Sequence, residues 1–152
     1  MKISIIVGAL GALFTGVAIS IQSTISSRAG SMIGDVKTGL FTNLLGGLIA
    51  GVMVLILFIR GGSQAWKIPG TVIGFVSISG LLGIFIITGI SFSLQRVGIA
   101  AGLATVILGQ LFISVIIDTF GIGGVEAIPL SLPRVMGLVV MGFGVLIMLP
   151  RT

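Results

Sequence analysis

Gln110, Ser114 and Asp118 recur at four-residue steps through residues 101–121, AGLATVILGQLFISVIIDTFG, a stretch otherwise apolar enough to sit in lipid. Steps of that size stack side chains along one slanting helix face. A second polar set, Thr15, Gln22 and Ser26, lies in the first apolar run of the chain. An unpaired amide in hydrocarbon costs several kcal/mol, so such groups must face a partner helix or a wet cavity. Amides and hydroxyls without a nucleophile or a base bind solutes rather than break bonds. Thr15, Gln22, Ser26, Gln110 and Ser114 are therefore the candidate substrate-binding residues.

Depth separates the members of each set. Asp118 and Arg28 close uncharged runs that cover residues 97–117 and 3–27, so both belong near the headgroups. At 1.5 Å per residue, Gln110 is about 12 Å inward of Asp118, and Gln22 is about 9 Å inward of Arg28. Gln110 thus sits near the bilayer midplane.

The chain contains no Cys and no His, which removes disulfides, thiolate nucleophiles, the usual zinc sites and haem ligation by His. It also lacks a phosphate-binding loop ending in Gly-Lys-Ser/Thr, a metalloprotease His pair and a pair of intramembrane carboxylates. We expect no enzyme activity, no metal and no cofactor.

The elements that must carry these residues are membrane helices. Of 152 residues, 56% are hydrophobic and only 7% charged, a balance that excludes an ordinary soluble domain. Charges and breakers divide the chain into five runs, and helices are expected at about 3–27, 39–59, 68–94, 97–117 and 133–149 of a single membrane domain, residues 1–152. The apolar N-terminus imitates a secretory signal, but its run is long enough to span and reads as an uncleaved first helix. The fold class is an all-α integral membrane protein of five transmembrane helices. The net charge of +5 reflects loop residues at anionic headgroups rather than nucleic-acid binding.

An odd number of spans puts the termini on opposite faces, so loop Lys and Arg should set the orientation. The two faces tie: Lys2, Arg60, Lys67 and Arg134 stand against Arg28, Lys37, Arg96 and Arg151. Dual insertion follows, and with it an antiparallel dimer with a twofold axis in the membrane plane, the inverted symmetry of many secondary transporters. In such a dimer Arg28 of one copy shares a face with Asp118 of the other, a possible gating or intersubunit pair. Small residues form stripes on three helices: Ser4, Gly8, Gly11 and Thr15 on the first, Asn43, Gly47 and Gly51 on the second, Gly70, Gly74 and Ser77 on the third. Stripes of this kind let helices approach closely in lipid.

GQLFISVIIDTFG (109–121) followed by PLSLPRVMGLVVMGFGVLIM (129–148) resembles the C-terminal half of the YdcZ-like family, small five-helix members of the drug/metabolite transporter superfamily. GALGALFTGVAISIQSTISSRAG (8–30) is similar to that family's glycine-rich first helix, with Ser26 where the pattern has Asn, and AWKIPGTVIG (65–74) resembles its Trp-bearing approach to the third helix. The resemblance implies a half-sized transporter in the bacterial inner membrane, multi-pass, working as an antiparallel ten-helix dimer with a copy of itself or an oppositely oriented homologue. Small multidrug exporters of the same superfamily carry a deep Glu on the first helix, and this chain has no acid there. The expected function is a secondary transporter, exporting a small polar metabolite or drug-like solute by alternating access. A passive dual-topology channel and an accessory membrane subunit without transport are the alternatives.

Overall fold

Apolar runs without an interior proline form five α-helices in the computed structural model, which describes residues 3–61, 68–124 and 126–150 and, within them, the side chains from residue 5 onward. They are α1 (Ile3–Ile33), α2 (Asp35–Gly61), α3 (Gly70–Val97), α4 (Ile99–Phe120) and α5 (Leu132–Met148). Among the described residues α1 to α4 are long and apolar enough to cross a bilayer. The 17 residues of α5 rise about 25 Å, the length of the helix expected at 133–149 and shorter than the other four. Lys2, Lys67, Arg151 and Trp66 lie outside the described residues, as does the side chain of Ser4.

Three helices, α1, α3 and α4, end at glycines rather than at charges. Gly34, Gly98 and Gly121 take φ of 90°, 83° and 63°, left-handed values that interrupt a helix without a Cβ penalty. The segment 28–37, expected as a connection, is instead helical on both sides of Gly34. Gly34 N–H donates to Gly30 O at 2.8 Å and Thr38 N–H to Gly34 O at 3.0 Å, so each neighbouring helix reaches the break with its ladder intact. A charge such as Arg28 ends the lipid-immersed part of a helix, not the helix itself. Gly98 makes a similar one-residue break, and α3 runs to Val97 rather than to 94.

The chain divides into two compact units, Met1–Phe92 and Ser93–Thr152, the boundary falling inside α3. In the first unit the buried residues gather where the end of α1, the start of α2 and the second half of α3 meet: Ser23, Ser26, Thr38, Ile87, Ile90 and Ser91. Ser91 is fully buried, and its hydroxyl lies 2.6 Å from Asp35 Oδ1 and 3.3 Å from Ser26 O. With a single proton to give, Ser91 serves the carboxylate better than the carbonyl. That contact joins α3 to the first turn of α2. One turn on, Gly39 brings the helices to backbone contact: a Cβ there would collide with Thr88 Oγ1 and stand 2.8 Å from Ile84 O.

Away from this knot the unit opens. Residues 44–61 of α2 and 70–82 of α3 are exposed throughout. Their outward faces, Leu48, Leu55, Phe75 and Ile78 among them, present hydrocarbon to hydrocarbon.

In the second unit Gly102 lies against Leu94, whose Cδ1 would be 2.8 Å from a Cβ at that position. The end of α4 is capped by Gly121, and Ile122 N–H donates to Ile117 O at 3.1 Å. The connection to α5 folds back on the cap, with Ile128 N–H donating to Asp118 O at 2.8 Å. Pro133 occupies the first turn of α5, where its missing N–H has no helical partner to lose.

Candidate functional site

Three helices of the first unit supply one cleft of about 490 Å³. Gln22 enters from α1, while α2 contributes Thr42 and Asn43 followed by Gly46 and Gly47. Opposite them α3 supplies Gly80 and Gly83, then Ile86 and Ile87. Nothing lies within 4 Å of the positions where side chains would begin at Gly46, Gly47 and Gly80, so bare backbone forms those walls. None of the described residues lining the cleft is titratable.

Polarity in the cleft comes from neutral groups. Asn43 is half-buried, and its Nδ2 donates to Gly39 O at 2.9 Å, one helical turn back. Across the α2–α3 crossing, a Cβ on Gly83 would stand 2.8 Å from Asn43 Oδ1. The missing side chain at Gly83 is therefore what admits the amide. Gln22 is exposed on α1 and borders a neighbouring hollow of about 420 Å³ as well, which also takes in Ser26, Ala29 and Thr42. Gln22, Ser26, Thr42 and Asn43 thus share one polar face between α1 and α2.

The sequence-derived candidates distribute unevenly over this geometry. Gln22 and Ser26 line the two hollows, Gln22 at the surface and Ser26 almost fully buried. Thr15 lies outside both, and its hydroxyl donates to Gly11 O at 2.9 Å along its own helix. Gln110 and Ser114 stand exposed on α4. The hollow between α4 and α5, lined by Leu108, Gly109, Phe112, Leu138, Val139 and Gly142 among others, is apolar and does not include them.

Asp118 has a partner within its own chain that sequence reasoning did not name. Arg134 Nη2, in the first turn of α5, lies 3.3 Å from Asp118 Oδ2. The side chains remain 30% and 37% exposed, so water and headgroups screen the pair. Arg134 Nη1 is buried without a hydrogen-bond partner. Arg28 is exposed on α1, and its carbonyl accepts from Ser31 Oγ at 2.7 Å. Any contact of Arg28 with an Asp118 from another copy has to compete with Arg134.

Sequence reasoning placed Asn43 in a small-residue stripe and gave it no role in binding. The signal was there: Gly39, Asn43, Gly47 and Gly51 continue at four-residue steps, and an amide inside such a stripe needs a polar neighbour. Thr42, one residue off the stripe, carried no such signal. Among the described residues no group of three His, Cys, Asp or Glu is placed to hold a metal ion.

The arrangement can hold a solute by neutral hydrogen bonds against a backbone surface inside a membrane. The family model described as "Putative inner membrane exporter, YdcZ" matches residues 7–147. No curated protein and no solved structure matches the chain.

Proposed function

The chain belongs to the YdcZ inner membrane exporter family, and from that membership we propose that it is a secondary transporter exporting a small polar or drug-like solute by alternating access in an antiparallel homodimer. It is a multi-pass protein of the inner membrane, a transporter rather than an enzyme. The observation that carries the finer reading is the cleft between α1, α2 and α3, polar through Gln22, Thr42 and Asn43 and free of titratable lining groups among the described residues.

A site of that kind favours solutes without net charge, because a bound ion would lose its hydration and gain no counter-ion. The knot at Asp35, Ser91 and Gly39 fixes one end of the unit, and the exposed, glycine-rich ends of α2 and α3 supply the part able to move. The four-against-four charge tie supports both orientations in the membrane, and so an inverted pair. In that pair α5 completes five spans per copy. Gln110 and Ser114, exposed on the single chain, join Gln22, Ser26 and Thr15 in lining the shared pathway.

The test is counterflow in proteoliposomes, using solutes selected by thermal shift on the purified protein. Gln22→Leu and Gln110→Leu each remove a membrane-embedded amide and are expected to lower flux at least ~10-fold while the dimer persists, the size of one lost hydrogen bond. Full activity in both variants would remove the site assignment. Conductance without saturation would make the protein a channel instead.

A further inference from the structure

Resting on the cleft as the transport site, we propose that Asn43 sets its specificity, presenting a fixed hydrogen-bond acceptor that selects flat, uncharged solutes carrying an N–H or O–H donor. Gly39 O can only accept, so the amide group of Asn43 that faces it at 2.9 Å is the Nδ2 donor. The opposite end of the same planar amide, Oδ1, is thereby turned toward α3 at Gly83. Asn43 cannot exchange its oxygen for its nitrogen at Gly83 without setting two carbonyl oxygens against each other. One Nδ2 proton is held by Gly39 O, and the group presented at Gly83 is an acceptor.

Gln22 imposes no such choice, because an exposed amide can turn to donate or accept. The remaining polar lining group, Thr42, is likewise neutral. A cation meets no carboxylate on the described lining and an anion meets no base. The backbone walls at Gly46, Gly47 and Gly80 carry no side chain, and Ile86 and Ile87 beside them add apolar surface. A planar ring system suits that surface, and a lactam-like N–H suits Oδ1.

Three probes of nearly equal shape separate the terms: 6(5H)-phenanthridinone, a neutral N–H lactam; its N-methyl derivative, neutral without the donor; and the N-methylphenanthridinium cation. Binding to the full-length protein in lipid nanodiscs is read from probe fluorescence. The N–H lactam is expected to bind at least ~10-fold tighter than the N-methyl lactam, and the cation weakest of all. Asn43→Leu should erase the N–H preference. Asn43→Asp should reverse the charge preference, raising cation affinity by at least ~10-fold.

Should Asn43→Asp disturb the helix through its contact with Gly39 O, Gly83→Ala provides an independent check. It sets a methyl group 2.8 Å from Oδ1, so the amide must move off that position, and it should erase the N–H preference although Asn43 itself is retained. Equal binding of the two lactams by the wild type, no binding of the N–H lactam, or an N–H preference that survives both Asn43→Leu and Gly83→Ala would each overturn the proposal. If Gln22→Leu also leaves lactam binding unchanged, the cleft itself is not the site. If Gln22→Leu weakens binding but the Asn43 and Gly83 variants keep the preference, the cleft stands and only the role of Asn43 falls.

Discussion

Gly39→Ala is the sharpest probe of how α2 and α3 are joined. The added Cβ would overlap Thr88 Oγ1 and lie 2.8 Å from Ile84 O, and the second of these is backbone that cannot rotate away. Overfilling a tight contact costs about 1–3 kcal/mol, and a backbone obstacle places this site at the upper end. Alanine returns about 1 kcal/mol through its better helix propensity, leaving a net loss of about 2 kcal/mol. Gly51→Ala, three turns along the same helix, meets nothing within 4 Å and should gain the propensity term alone. The two variants are thus expected about 3 kcal/mol apart and of opposite sign. Unfolding by sodium dodecyl sulfate in mixed micelles, followed by circular dichroism, measures the difference. Thr88→Ala in the Gly39→Ala background should recover part of the loss, because one of the two obstacles is a side chain. Equal and same-signed shifts for Gly39→Ala and Gly51→Ala would refute the close-contact argument, as would no rescue by Thr88→Ala.

Ser91→Ala takes from Asp35 its 2.6 Å donor and should cost about 1.5–3 kcal/mol in the same assay, with Asp35→Asn in that background less harmful than the serine change alone would suggest. Lys37→Gln breaks the charge tie without touching an apolar face, and C-terminal reporter fusions should then move from a mixture of orientations toward one. A mixture unchanged by Lys37→Gln and by Arg60→Gln would show that loop charge does not govern insertion here.

Helix number was legible because glycine, proline and charge punctuate the apolar runs. The first connection was not, because charge was read as the end of a helix when it marks only the end of the lipid. The glycine stripes were legible as stripes, but not by function. Gly39 and Gly83 lie against another helix, while Gly8, Gly11, Gly47, Gly51, Gly70 and Gly74 meet nothing within 4 Å. One-dimensional spacing is the same for both kinds, and the difference lies in what crosses opposite. Asp35 and Ser91 are far apart in the chain, and neither residue type nor period links them. Gln22 and Ser26 were recognisable because a polar group in an apolar run is conspicuous; Thr42 and Asn43 gained their place only when α2 met α1 and α3.

The single residue between α1 and α2 bears on how the protein is made. Gly34 leaves no slack for one helix to turn over while the other stays, so the two must be laid into the bilayer as a hairpin. Ser23, Ser26 and Thr38 are buried at this end of the pair, where α3 joins it. The pair then moves as one unit, and the Ser91–Asp35 contact ties α3 to it.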